Sequence, residues 1–187
     1  MKPKIELMVS GLGGQGLLTT GRLLAEAAMS NYRHVLFFPN YGPMMRGGES
    51  ECTIILSNEE IGSPAVFNPT SAIVMGSTAL SQLENRLKSG GMIFLDSSII
   101  SAKVSREDLK VFYIPATRMA MELGGRQAAN LILLGAYVEA TQAVPLELVE
   151  ATMEKRLKGS RAEALVPLNK SALREGARIL ANYQPGG

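Results

Sequence analysis

Two glycine-rich stretches in the first 50 residues carry the residue types best suited to hold a ligand. The first, Gly11-Leu12-Gly13-Gly14-Gln15-Gly16, follows the apolar run Ile5 to Val9. The second, Tyr41-Gly42-Pro43-Met44-Met45-Arg46-Gly47-Gly48-Glu49-Ser50, follows His34 to Phe38. Closely spaced glycines let the backbone approach a phosphate or another chain, and the N–H groups that open a helix attract anions. Gln15 sets an amide beside those N–H groups, and Arg46 places a permanent positive charge between Met45 and two glycines. Tyr41 adds a ring with a hydroxyl. The expected chemistry is the binding of an anionic or polar ligand, or of a partner chain. A ligand-free strand-to-helix turn is the alternative for the first stretch, and a solvated arginine for the second.

The first stretch fits the dinucleotide fingerprint G-x-G-x-x-G, but that fold also needs an acid at the end of the next strand to hold the ribose hydroxyls. The chain offers Leu36-Phe37-Phe38-Pro39-Asn40 there. Catalytic sets are scarce. His34 opens a strand and reads as structural, and Cys52 sits inside a strand as a buried thiol. Asp96 ends an apolar strand, where it suits either a ligand contact or a cap over Ser97-Ser98. No nucleophile–base pattern appears, so no catalytic residue is expected, and no metal site.

The elements that would position the loops follow from periodicity. Ile5 to Val9 reads as a strand, and apolar residues recur at helical spacing from Gly16 to Ser30. His34 to Phe38 reads as a second strand ended by Pro39, and Glu51 to Ser57 as a third. A turn at Asn58-Glu59-Glu60 with a short return at Ile61 would make a hairpin-like edge. Further strands are expected at 71–75, 92–95 and 111–114, with a helix at 78–88. Thr117 reads as the N-cap of a short helix. Helices are expected at 127–140, apolar nearly all round, at 145–158 and at 168–181. This predicts an α/β fold, a single three-layer Rossmann-like domain over residues 1–183 with a mostly parallel, partly mixed sheet. Residues 184–187 read as a flexible C-terminus.

Composition narrows the function classes. The chain has 187 residues, 46% hydrophobic and 19% charged, with a net charge of +2. That charge is too small for nucleic-acid binding, and the apolar runs are strand-sized rather than membrane-spanning. One cysteine excludes an intrachain disulfide or a cluster held by four thiolates of this chain, and the single histidine argues against a His-rich metal site. With no signal-peptide pattern, the cytoplasm is the expected compartment.

The chain resembles the gamma subunits of 2-oxoacid:ferredoxin oxidoreductases. The resemblance lies in Gly-Leu-Gly-Gly-Gln-Gly at 11–16, Tyr-Gly-Pro-Met-Met-Arg-Gly-Gly at 41–48, Ile61-Gly62-Ser63-Pro64, Lys88-Ser89-Gly90-Gly91, Ile114-Pro115-Ala116-Thr117 and Ala129 to Ala136. These six pieces run in family order, and a looser likeness continues through Asn169-Lys170-Ser171-Ala172 and Gly176.

The resemblance implies a subunit of a complex that converts a 2-oxoacid and coenzyme A to acyl-coenzyme A, carbon dioxide and reduced ferredoxin. It implies thiamine diphosphate on alpha and beta subunits, iron–sulfur clusters on a partner subunit, and no prosthetic group on this chain. By position, Gly13, Gly14, Gln15 and Gly16 would form the phosphate-facing loop for coenzyme A. Tyr41, Arg46, Gly47 and Gly48 would line the subunit interface or the coenzyme's access, and Asn130 would be a polar anchor. The Tyr-Gly-Pro form is similar to that of 2-oxoglutarate or branched-chain 2-oxoacid members. Met44 stands where glutamate is common, and Thr70 where aspartate is usual. Two other readings stay open, a stand-alone oxidoreductase using NAD(P) and a purely structural spacer subunit. Self-association of the isolated chain is also open.

Overall fold

Residues 3–41 and 48–183 are described by a computed structural model, with Tyr41 described in its backbone only. Six strands form one sheet in the order β2-β3-β1-β4-β5-β6. They are β1 (Ile5–Leu12), β2 (His34–Tyr41), β3 (Glu49–Ser57), β4 (Ser71–Met75), β5 (Met92–Asp96) and β6 (Lys110–Ile114). Strands β1, β4, β5 and β6 are parallel neighbours. β3 is antiparallel to both β1 and β2, so β2 runs in the direction of β1. The carboxyl ends of five strands therefore share one edge with the amino end of β3. The sheet is mixed, as expected, but for a different reason. No return strand follows Ser57; β3 itself lies between β1 and β2.

β1 is buried on both faces from Ile5 to Gly11, as an apolar strand covered on both sides must be. One face carries α1 (Leu17–Ala28), α3 (Ala116–Glu122), α4 (Ala129–Thr141), α5 (Leu146–Leu157) and α6 (Val166–Ala181). The other is packed by α2 (Ser77–Glu84) and by the segment that ends at Leu109. That segment is pinned by Glu84, whose carboxylate accepts the N–H and hydroxyl of Ser105 and the N–H of Arg106. α2 ends at Glu84 rather than at Lys88, and Leu83 and Leu87 are nevertheless both buried.

β2 continues through Pro39 to Tyr41 instead of ending at Phe38. It is the edge strand, so proline's missing N–H costs no ladder bond on its open side. Thr70 acts as a clamp before β4. Its hydroxyl accepts the N–H of Glu6 and donates to the Glu6 carbonyl, each at 3.0 Å. An ionised aspartate at 70 could accept but not donate.

Candidate functional site

β1 delivers the chain to the carboxyl edge at Gly11 and Leu12, which pair with Ser50 and Glu49 of β3. The two glycine stretches are therefore neighbours, and the Gly13 N–H donates to the Gly48 carbonyl at 2.9 Å. The Leu12 N–H donates to Gln15 Oε1 at 2.7 Å, so part of the amide expected to face a ligand braces its own loop instead. Gly14 (φ 91°) and Gly16 (φ 74°) occupy the left-handed region, which lets the chain turn from strand into helix within four residues. α1 then begins at Leu17 with no capping side chain and no acid in its first turn. Its positive end is uncompensated at the edge where open α/β sheets bind ligands.

A cleft of about 600 Å³ opens there between Gly13–Gly16, Met75 at the end of β4, Thr117 of α3, and Arg126 and Asn130. Asn130, in the first turn of α4, donates from Nδ2 to the Gly16 carbonyl at 3.1 Å. That same carbonyl accepts the N–H and hydroxyl of Thr20. Arg126 stands at the mouth, exposed, with no carboxylate partner among the described residues. Sequence reading missed Arg126. Its only signal was a lone cation directly after Gly124-Gly125 and just before the buried helix.

Thr117 does not cap α3. It lies in the first turn, behind Pro115 at the N-cap position, and joins the cleft to a second hollow of about 800 Å³ lined by Ser97, Ser98, Arg118 and Met121. Asp96 ends β5 beneath both hollows and is fully buried. Its carboxylate accepts the N–H of Ser98, the N–H of Thr117 and the Thr117 hydroxyl, the last at 2.5 Å. Of the two roles its position allowed, the structure assigns the cap.

The expected site residues thus divide. Gly13, Gly14, Gln15, Gly16 and Asn130 meet in one cleft, with Gly48 hydrogen-bonded to its rim. The Tyr41 side chain, Arg46 and Gly47 lie outside the described residues. His34 begins β2 at the opposite edge of the sheet.

Cys52 is fully buried in β3, with Sγ 3.8 Å from the Leu17 carbonyl. Burial, helped by the negative charge of Glu51, pushes its thiol up to about 12. The thiolate is the reactive form, so iodoacetamide at neutral pH should leave Cys52 unlabelled in the folded chain and label it fully in urea. Stoichiometric labelling of the native chain, read by mass spectrometry, would contradict this burial.

The open helix start and the Arg126 guanidinium suit phosphate groups, and buried Asn130 Oδ1, which has no hydrogen-bond partner among the described residues, suits a donor beside them.

The model of the pyruvate ferredoxin/flavodoxin oxidoreductase family matches residues 6–179. Ketoisovalerate oxidoreductase subunit VorA of Methanothermobacter thermautotrophicus is 34% identical over 178 residues, 94% of this chain and 36% of the relative. The chain thus spans about a third of that protein's length. The 2-oxoglutarate synthase subunit KorC of Methanocaldococcus jannaschii is 30% identical over 174 residues, covering 91% of this chain and 93% of the relative. A solved 2-oxoglutarate:ferredoxin oxidoreductase from Magnetococcus marinus, with 2-oxoglutarate, coenzyme A and succinyl-CoA bound, superposes with a TM-score of 0.87. That match covers 100% of this chain and 32% of the other at 19% identity, and it shows a shared fold. No helix among the described residues is long and apolar enough to cross a membrane.

Proposed function

The chain belongs to the pyruvate ferredoxin/flavodoxin oxidoreductase family, and from that premise we propose that it is the gamma subunit of a 2-oxoacid:ferredoxin oxidoreductase. The complex would convert 2-oxoglutarate, or a related 2-oxoacid, and coenzyme A to acyl-coenzyme A, carbon dioxide and reduced ferredoxin. Support for the substrate class comes from the likeness to a 2-oxoglutarate synthase subunit along nearly its whole length. Thiamine diphosphate on alpha and beta subunits would supply the decarboxylating chemistry, and iron–sulfur clusters on a further subunit would pass electrons to ferredoxin. The part of this chain is to hold coenzyme A and to join the assembly.

The observation that carries the proposal is the convergence of three unlike groups on one cleft. The N–H groups that start α1 and the Arg126 guanidinium are both anion-seeking, and Asn130 fixes the loop between them. A phosphate seated there would accept from backbone donors that are already in place, so little ordering is required on binding. No bond-making residue is needed on this chain. The NAD(P) reading has no support here. β2 ends in Pro39-Asn40-Tyr41, and its last residues supply no acid for a ribose.

Arg126→Gln tests the proposal in the assembled complex. Losing one charged contact to a phosphate should raise the KM for coenzyme A roughly tenfold, with the KM for the 2-oxoacid unchanged. An unchanged KM for coenzyme A would remove Arg126 and its cleft from this role. A shared rise in both values would point to assembly instead.

A further inference from the structure

Asn130 Oδ1 is the buried side-chain oxygen without a hydrogen-bond partner among the described residues. The orientation of the amide is fixed by its partner. The Gly16 carbonyl can only accept, so the amide must present Nδ2 to it, and turning the group over would set two oxygens face to face. Only 7% of Asn130 is exposed, yet it lines the cleft beside the open start of α1. A buried acceptor left unpaired is costly, and it is retained where something completes it.

A phosphate diester or pyrophosphate at neutral pH has oxygens and no donor. It suits the α1 start and Arg126, and it cannot serve Asn130 Oδ1. We propose that Asn130 Oδ1 accepts a hydrogen bond from a neutral N–H or O–H of the ligand, while the glycine loop and Arg126 take its anionic group. This rests on the coenzyme A reading and says which chemistry meets Asn130: an amide, hydroxyl or amine of the coenzyme rather than its phosphates. The oxygen is closed to solvent in the free chain. The donor therefore reaches it through a small shift of the loop against α4, and Asn130 becomes the residue that tells coenzyme A from a bare polyphosphate.

The test compares Asn130→Ala and Asn130→Leu with the unaltered chain, each in the assembled complex, by equilibrium binding of coenzyme A and of tripolyphosphate. Both variants should bind coenzyme A more than roughly tenfold more weakly and lose clearly less affinity for tripolyphosphate, whose smaller loss reports only the broken tie from Nδ2 to the Gly16 carbonyl. The fragments 4′-phosphopantetheine and adenosine 3′,5′-bisphosphate then locate the donor, since only the fragment that carries it loses affinity. Equal losses for coenzyme A and tripolyphosphate would reduce Asn130 to a brace for the loop and overturn the inference. Unchanged coenzyme A binding would overturn it too. If the unaltered complex binds tripolyphosphate but not coenzyme A, the coenzyme reading itself fails, a result distinct from either.

Discussion

Gly135→Ala should destabilise the folded chain by about 3 kcal/mol, seen as a matching drop in the urea midpoint at constant slope. A methyl at Gly135 would fall on the backbone carbonyl of Leu173, and one at Gly176 on the carbonyl of Ile132. The two glycines are reciprocal, each facing the other helix, so α4 and α6 touch backbone to backbone. A side chain can change rotamer to relieve a clash, but a helix carbonyl cannot, and the helices would have to separate along their length. α4 is buried on nearly all sides, which leaves it little room to do so. Alanine's better helix propensity returns only ~1 kcal/mol. Gly62→Ala is the control. It has a negative or extended backbone and nothing within 4 Å of the added carbon, so its effect should stay within about 0.5 kcal/mol. Equal stabilities for the two variants would mean that α4 and α6 are packed more loosely than described. Because α4 carries Asn130, the same substitution should also weaken coenzyme binding in whatever complex survives.

What the sequence made legible, and what it did not, divides along physical lines. The unit from β1 through the glycine loop to α1 is local. Its apolar run, its glycines at positive φ and its helical period all lie within 24 residues, from Ile5 to Ala28, and each is visible in the chain itself. The buried character of α4 is equally local, because a helix apolar on all sides has nowhere to go but inside. The place of β3 between β1 and β2 is not local. Periodicity identifies a strand but not its partner, so the mixed sheet was expected from a hairpin at residues 58–61 that does not form. Pro39 predicts the end of β2 because the rule against proline applies to central strands, and nothing in the sequence marks β2 as the edge. Thr117 looked like a cap because its hydroxyl was free to be one. In the fold that hydroxyl is taken by Asp96, 21 residues away. Arg126 was overlooked for the same reason. An isolated cation becomes a candidate site residue only when the 3-10 turn at Arg126–Ala128, just before α4, sets it along the same cleft as the glycine loop.

Gly16→Ala is the sharper test of the site, because its expected effect falls on binding as well as on folding. Residue 16 has φ 74°, where an alanine pays roughly 1–2 kcal/mol in backbone strain, and a Cβ there would meet Asn130 Nδ2. Displacing that amide breaks the bond from Nδ2 to the Gly16 carbonyl, the side-chain tie between the loop and α4. The start of α1 and Asn130 are the two halves of the proposed coenzyme site, so both move at once. Coenzyme A affinity should fall by more than about tenfold, while the chain remains folded with a loss of ~1–3 kcal/mol in urea titration. Gly14→Ala separates strain from contact. Its φ of 91° carries a similar strain, but the added carbon has nothing within 4 Å. If backbone strain alone matters, the two variants should lose coenzyme A affinity equally. If the Asn130 contact matters, Gly16→Ala should lose much more at comparable stability. Wild-type affinity in Gly16→Ala would take the glycine loop out of the site and leave Arg126 as the anion contact of the cleft.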